Sequence, residues 1–137
     1  MISEYPVNMI SNINMPYCII SNTSGKTRLC LNDIQYIEVH DHTLHYHTED
    51  GCFSSTTSMT IGRLADKLSE IGFARCHHGY LVNTAHVNGY HKNSIFIGGS
   101  ILPLSRTYKK RFLNILNNLW NSIQIHERLT GTRPISP

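Results

Sequence analysis

Residues 73–83, "FARCHHGYLVN", set two adjacent histidines between two β-prone runs. Phe73 and the run from Tyr80 to Val82 carry the apolar and aromatic side chains that a protein core uses. His77 and His78 stand between them, where histidine serves as a metal ligand, an acid-base group or a contact for a polyanion. The patterns on either side of this segment decide among these roles.

The chain before this segment predicts five strands. Two short β-prone runs flank Gly25 and predict a hairpin. The run "IQYIEV" at 34–39 predicts a mostly buried strand, followed by a loop at 40–42. Strands at about 43–48 and 52–57 then meet at Asp50-Gly51, a dipeptide favoured in tight hairpin turns.

A short helix is predicted directly before the histidine segment. Ile61, Leu64, Leu68 and Ile71 recur at helical spacing and make one apolar stripe. Ser58 is a candidate N-cap. Gly72 is a suitable residue for ending the helix.

The chain after the histidine segment predicts a meander and a second helix. Three β-prone pieces, "AHVNGYH", "SIFIGG" and "SILPL", are separated by glycine-containing turns. Pro103 confines its strand to a sheet edge or to the strand's own end, because proline has no amide hydrogen for a ladder. The run "RTYKKRFLNILNNLW" at 106–120 is amphipathic, and its stripe consists of Tyr108, Phe112, Ile115 and Leu119.

Positive charge is concentrated at the start of this second helix. The chain has 12 Lys+Arg against 9 Asp+Glu and a pI near 8.7, which is only mildly basic. Four of these cations, however, lie within residues 106–111. A helix N-terminus is already positive, so cations there are unfavourable unless an anion is bound. The nine histidines, which lie elsewhere in the chain, add further positive charge wherever a nearby phosphate favours their protonated form.

Composition excludes several other classes of protein. A length of 137 residues corresponds to about one domain. Cys18, Cys30, Cys52 and Cys76 form no close C-x-x-C pair, so we interpret them as separate thiols. The N-terminus lacks the basic and apolar regions of a secretory signal, and no run is long enough for a membrane helix. We therefore expect a cytoplasmic protein.

Taken together, these segments resemble the LytTR DNA-binding domain of bacterial response regulators. The resemblance rests on "YIEV", the following loop with His42, "FARCHHGYLVN" and "LPLSRTYKKRF", in that order. It implies a mainly-β fold, a multi-stranded β-sandwich with one short helix between strands and a C-terminal helix. The domain would span 17–115, after an N-terminal tail at 1–16 and before a helix end and flexible tail at 116–137.

The resemblance also implies which side chains contact DNA. His42, His78 and Arg106 would contact base edges from three separate loops. An arginine fork can make two parallel hydrogen bonds to guanine, whereas a histidine makes one. The phosphate contacts would be Ser105, Thr107, Lys109 and Lys110, with His77 mainly holding the loop and contacting phosphate as a lesser role.

The function implied is transcription regulation without catalysis or a cofactor. Two protomers would bind direct repeats in double-stranded promoter DNA, placing loops in successive grooves and bending the duplex. RNA polymerase and a membrane-bound inhibitor are further candidate partners by the same resemblance. Only residues 1–16 precede the predicted domain, so we expect no receiver domain within this chain.

Two other classes of function stay open at this stage. His40, His42, His45 and His47 form two H-x-H pairs that could bind a transition metal. A protein-interaction module that has lost DNA binding is the other alternative. Within the resemblance, Gly79 replaces a usual serine and predicts a more mobile loop. From residue chemistry alone, Asn83 is expected to cap a turn, and Cys76 is expected to be an inert small residue that would sense oxidation only if its thiol pKa were lowered.

Overall fold

The computed structural model describes residues 16–56 and 59–129. This part of the chain forms ten strands and two α-helices, joined by short turns. The strands are β1 Tyr17–Asn22, β2 Gly25–Cys30, β3 Ile34–His40, β4 Thr43–Thr48, β5 Gly51–Ser55, β6 Phe73–His77, β7 Tyr80–Asn83, β8 Val87–His91, β9 Ser94–Ile97 and β10 Ser100–Pro103. The helices are α1 Ile61–Leu68 and α2 Arg106–Leu129.

The strands assemble into three antiparallel sheets. A central sheet has the order β5-β4-β3-β7-β6, β1 pairs with β2, and the meander has the order β10-β9-β8. The predicted mainly-β fold, with one short helix between strands and a helix at the C-terminal end, is confirmed. Pro103 closes β10 at the edge of its sheet, as its missing amide hydrogen requires.

The central sheet buries apolar side chains on both of its faces. Successive side chains of a strand point to opposite faces, so Tyr36 and Ile37 of β3 enter two different clusters. Ile37 packs with Leu64 of α1 and Ile20 of β1, and all three are buried. One face of the sheet is therefore covered by α1 and the β1–β2 hairpin.

The other face is covered by α2 and the meander. Phe112 and Leu116 of α2 are fully buried in this second cluster with Val82 of β7 and Ile95 of β9. Phe112 belongs to the predicted stripe, but Leu116 does not, and Leu119 is only half-buried. The buried face thus centres on an i, i+4 pair, because residues four apart lie above one another on a helix.

The ends of α1 follow the expected chemistry. The predicted N-cap, Ser58, lies outside the described residues, and the observed cap is Thr60, whose Oγ1 accepts a hydrogen bond of 3.1 Å from the amide of Arg63. After a 3-10 turn, Gly72 has φ +107° and ends the helical segment as predicted. Helix α2 runs past the predicted segment 106–120 to Leu129. Neither helix, over the residues described, is long and apolar enough to cross a membrane.

Candidate nucleic-acid interface

His42 lies at the tip of the β3–β4 hairpin. His40 pairs with Thr43, so Asp41 and His42 alone form the turn. Both have positive φ, 53° and 61°, as a type I′ turn requires. The pattern had predicted a loop at 40–42, and the structure shortens it to two residues. Both side chains are exposed, so His42 can contact a ligand at this tip.

His78 lies in the turn between β6 and β7, and His77 ends β6. His77 pairs with Tyr80, which leaves His78 and Gly79 as the turn. The amide of Gly79 donates to Nδ1 of His77 over 3.0 Å, and the ring of His77 packs edge-on against Tyr80. His77 is half-buried and His78 is exposed. This hydrogen bond from the Gly79 amide to the His77 ring supports the predicted role of His77 in holding the loop.

Arg75 supports the same turn from below. Its Nη2 donates a 2.6 Å hydrogen bond to the carbonyl oxygen of His78. Its guanidinium also lies over the ring of Tyr108 at 5.0 Å from the centroid. The sequence reasoning missed this role, although an arginine between two core residues, Ala74 and Cys76, was the available signal.

A backbone hydrogen bond joins the first two turns. The amide of Val39 donates to the carbonyl of Gly79 over 3.0 Å, next to the pairing of Glu38 with Tyr80. His42 is three residues further along, and three residues of chain span at most about 10 Å. The β3–β4 tip therefore lies close to the turn that carries His78.

A second backbone hydrogen bond brings in the start of α2. The amide of Ser105 donates to the carbonyl of Cys76 over 2.9 Å, and the amide of Tyr108 donates to Ser105 to begin the helix. Arg106 and Thr107 are exposed directly after this tie. We call the combined surface of residues 41–42, 77–79 and 105–107 the loop end.

The remaining phosphate candidates differ in accessibility. Lys110 is exposed, whereas Lys109 is half-buried and its Nζ donates a long, 3.4 Å hydrogen bond to Oδ1 of Asn93. The hydroxyl of Ser105 is buried and has no partner among the residues described. A phosphate reaching Ser105 must therefore approach an oxygen that is covered in this conformation. Asn93 is a neighbour that sequence reasoning did not identify.

The loop end combines positive side chains with helix amides. The first turn of α2 contains no acidic residue, and its first six residues carry the predicted cations. A phosphate bound there would be stabilised by the cationic side chains and by the helix dipole together. Asp41 contributes one negative charge to the loop end, and its carboxylate lies 3.4 Å from Nδ1 of His40.

The histidine pair on β4, His45 and His47, is engaged within the protein. Nδ1 of His45 lies 2.8 Å from Oγ of Ser54. Nε2 of His47 lies 2.7 Å from the carboxylate of Glu38, and its ring stacks on Tyr36 at 4.3 Å. Over 16–56 and 59–129, no group of three or more His, Cys, Asp or Glu side chains is arranged to hold a metal ion. The metal alternative therefore has no preformed site in this region.

Cys76 lies in the core beneath the loop end. It is fully buried, and burial raises the pKa of its thiol to about 12, while a backbone hydrogen bond lowers it by less. A thiol becomes a reactive thiolate when its pKa falls. The lowered pKa on which redox sensing by Cys76 would depend is therefore not found.

Asn83 and Gly79 both make hydrogen bonds that restrain the chain around them. Asn83 is buried, and its Oδ1 accepts from the amide of Ala85, which caps the turn as expected. Its Nδ2 also donates to the carbonyl of Ile34 on the neighbouring strand. Gly79 is tied through its amide and its carbonyl, so the turn has two backbone restraints where greater mobility was expected.

Comparisons with known proteins agree with this geometry. A family model described as the LytTr DNA-binding domain matches residues 24–117. A solved structure, the LytTr DNA-binding domain of a protein described as a methyl-accepting/DNA response regulator from Bacillus cereus, is similar with a TM-score of 0.62 and 19% identity. That match covers 73% of this chain and 95% of the other. No curated protein matches.

Proposed function

This chain belongs to the LytTR family of DNA-binding domains, and we propose that it is a transcription regulator that recognises promoter sequences through side chains of the loop end. The family match supports DNA binding in general. The proposal adds the residues that contact DNA, the kind of site that is recognised and the number of protomers on it.

One observation carries the proposal. Two backbone hydrogen bonds, from Val39 to Gly79 and from Ser105 to Cys76, draw three segments that are distant in sequence to one end of the central sheet. The exposed side chains of that end include His42, His78 and Arg106. His42 and His78 lie on tight, hydrogen-bonded turns, and Arg106 is the first residue of α2. Such a surface needs little rearrangement on binding, which lowers the entropy cost of association.

The three proposed base contacts differ in strength. Arg106 offers a planar fork that matches the O6 and N7 acceptors of guanine in the major groove. His42 and His78 each donate or accept a single hydrogen bond, so each discriminates less. Thr107, Lys109 and Lys110 would contact phosphates, with Ser105 and His77 as further contacts close to the backbone. Phosphate contacts set the register of the protein but carry no sequence information.

The loops would enter adjacent grooves, with two protomers on a direct repeat and a bend in the duplex. In this family the repeat gives each protomer an equivalent half-site. RNA polymerase would then be the partner through which binding alters transcription. The bend would cost deformation energy that depends on the base steps between the contacted positions.

Selection of bound duplexes from a randomised pool tests the proposal. We expect the intact chain to recover a motif that occurs twice in the same orientation at a fixed spacing. The Arg106→Ala variant should recover the same repeat with one base position relaxed. Recovery of no motif would contradict sequence-specific recognition. Recovery of an identical motif by both proteins would contradict the assignment of Arg106 as a base contact. A parallel selection with a chelator separates a metal-dependent module, because only that module would lose binding.

A further inference from the structure

A cleft opens between α1, α2 and β6. Its volume is about 220 Å³. Phe73 and Ala74 of β6, Ala65 of α1 and Phe112 and Ile115 of α2 supply its apolar lining. Pockets for drug-sized ligands are typically about 300–1,000 Å³, so this cleft suits a smaller molecule.

Two guanidinium groups line the same cleft. They belong to the half-buried Arg75 of β6 and the exposed Arg111 of α2, and Asp66 of α1 adds a carboxylate to the lining. No ion pair within 4 Å joins either arginine to an acid in the described ranges 16–56 and 59–129. The cleft therefore holds two positive charges and one negative charge.

Arg75 has hydrogen-bonding capacity that the protein does not use. Its Nε is buried and lacks a partner within the described part of the chain. Its Nη1 faces Gly62, where an added Cβ would come within 3.5 Å. A glycine at this position of α1 thus leaves space beside the guanidinium. Buried donors are usually satisfied. Because Nε is covered in this conformation, a ligand acceptor reaches it when the Arg75 side chain shifts toward the cleft.

We propose that the cleft binds a small carboxylate with an apolar body. A guanidinium matches a carboxylate through two parallel hydrogen bonds. Arg75 and Arg111 would hold the carboxylate, and the apolar body would lie against Ala65, Tyr108 and Ile115, which line the cleft and are partly exposed. The site lies outside the proposed DNA contacts, so the binding itself does not depend on the proposed function.

A ligand in this cleft acts on the loop end through Arg75. The same side chain that would hold the carboxylate donates to the carbonyl of His78 and packs on Tyr108, whose amide is bonded to Ser105. A carboxylate that draws Arg75 toward the cleft weakens its support of the turn carrying His78. This regulatory consequence rests on the proposed function, whereas occupation of the cleft does not.

Titration of the full chain with benzoate, followed by amide NMR shifts, tests the binding. Benzoate should cause saturable shifts at Gly62, Arg75 and Tyr108 that extend to His78 and Gly79. Acetate has the charge without the apolar body, and benzyl alcohol has the body without the charge. Each should bind at least about tenfold more weakly than benzoate if charge and body both contribute.

Three variants distinguish the cleft from other surfaces. Arg111→Gln should weaken benzoate about tenfold, the loss expected for one charge-assisted contact. Ala65→Phe should abolish binding by filling the cleft. Lys67→Gln removes a positive charge from α1 outside the cleft and should leave the titration unchanged. Equal curves for all three variants and the parent chain would overturn the site.

DNA binding measured with saturating benzoate separates the two parts of the inference. A several-fold loss of affinity in the parent chain, absent in Ala65→Phe, supports coupling between the cleft and the loop end. Saturable binding in the cleft without any change in DNA affinity overturns the coupling alone. A loss of DNA affinity that keeps growing with benzoate concentration and reaches no plateau would instead show direct competition, make the cleft a DNA contact and overturn an effector role.

Discussion

His77 and His78 are adjacent in the chain but have different surroundings. His77 is the last residue of β6, and its ring accepts the amide of Gly79 beside Tyr80. His78 is in the turn and exposed. Adjacent residues of a strand point to opposite sides, and the turn begins between these two. One histidine therefore shapes the loop end, and the other is free to contact a ligand.

Replacement of His77 by phenylalanine should destabilise the turn. Phenylalanine keeps a ring beside Tyr80 but has no acceptor for the Gly79 amide. We expect a loss of about 1 kcal/mol in the free energy of unfolding, the usual net worth of such a bond. Urea denaturation and hydrogen exchange at Gly79 measure it. His77→Asn retains an acceptor and serves as the control, and faster exchange in Asn than in Phe would contradict the interpretation.

Replacement of Arg106 by alanine should reduce specific DNA affinity. Loss of a two-bond contact to guanine costs about 1–3 kcal/mol and relaxes preference at that base. Fluorescence anisotropy with the selected duplex and with single-base changes measures both effects. The same affinity loss on every duplex would show that Arg106 contacts phosphate rather than a base.

Replacement of Lys110 by alanine should weaken binding to all sequences equally. Lys110 is exposed on the first turns of α2 and is proposed to neutralise one phosphate. The plot of log K against log salt has a negative slope, and the magnitude of this slope should decrease by about one, because one counterion fewer is released on binding. Anisotropy titrations over a salt series measure this slope. An unchanged slope, or a loss restricted to the selected duplex, would exclude a phosphate role.

At the scale of elements, the molecule depends on tight connections whose backbone conformations are specific. Asp41 and His42 turn the β3–β4 hairpin in two residues with positive φ. Gly72, at φ +107°, connects the α1 segment to β6 and so places the strand that ends in His77. The carbonyl of Gly72 also accepts hydrogen bonds from the amide and the hydroxyl of Thr84. A change at this connection should affect the whole sheet edge.

Replacement of Gly72 by alanine should destabilise the fold through the backbone alone. An added Cβ meets nothing closer than Thr84 Oγ1 at 3.6 Å, an ordinary contact. The left-handed conformation itself costs an L-residue about 1–2 kcal/mol. Thermal or urea unfolding measures the loss. Gly99→Ala is the matched control, because a Cβ there meets nothing within 4 Å. Equal stability of the two variants would contradict the argument.

At the scale of the whole molecule, the central sheet divides the interior into two cores, and each contains a buried cysteine. Cys18 lies in the core under α1 and the β1–β2 hairpin, and Cys76 lies in the core under α2. Burial raises the pKa of each thiol to about 12, with Cys30 adding a smaller effect at Cys18. In each core the folded protein therefore keeps the cysteine thiol neutral at an alkaline pH at which the same thiol would ionise in the unfolded chain.

These two thiols should make the protein less stable at alkaline pH. The unfolded thiol loses its proton near pH 9, whereas the folded one retains it to about pH 12. Between these values the unfolded state binds fewer protons, so stability falls as pH rises. Each thiol should cost about 1.4 kcal/mol by pH 10. Urea denaturation at pH 8 and pH 10 measures this loss.

The Cys18→Ala variant isolates one thiol in that experiment. Its stability at pH 8 should be lower because a core side chain is shortened. Its further loss between pH 8 and pH 10 should be smaller than that of the parent chain by the contribution of one thiol. An identical loss in both proteins would show that the alkaline effect comes from other groups.

Local sequence patterns predicted some features of this fold correctly and missed others. The meander, the β3 strand and the glycine at the end of the α1 segment follow local rules of alternation and turn chemistry, and they were predicted correctly. Thr60 as the N-cap and Leu116 in the buried face were missed, because several positions satisfy the same local rule and packing chooses among them. The role of Arg75 was missed because its partner, the carbonyl of His78, becomes available only when the turn has formed.

The amino-acid sequence by itself determined the order of elements, the positive charge at the start of α2 and the resemblance that pointed to the LytTR family. These depend on spacing and residue type, which short stretches carry on their own. Only the tertiary structure decided that His42, His78 and Arg106 share one end of the molecule and that Arg75 lies both beneath that end and in the cleft. Such proximity comes from backbone hydrogen bonds between distant segments, and these form only when the sheet assembles.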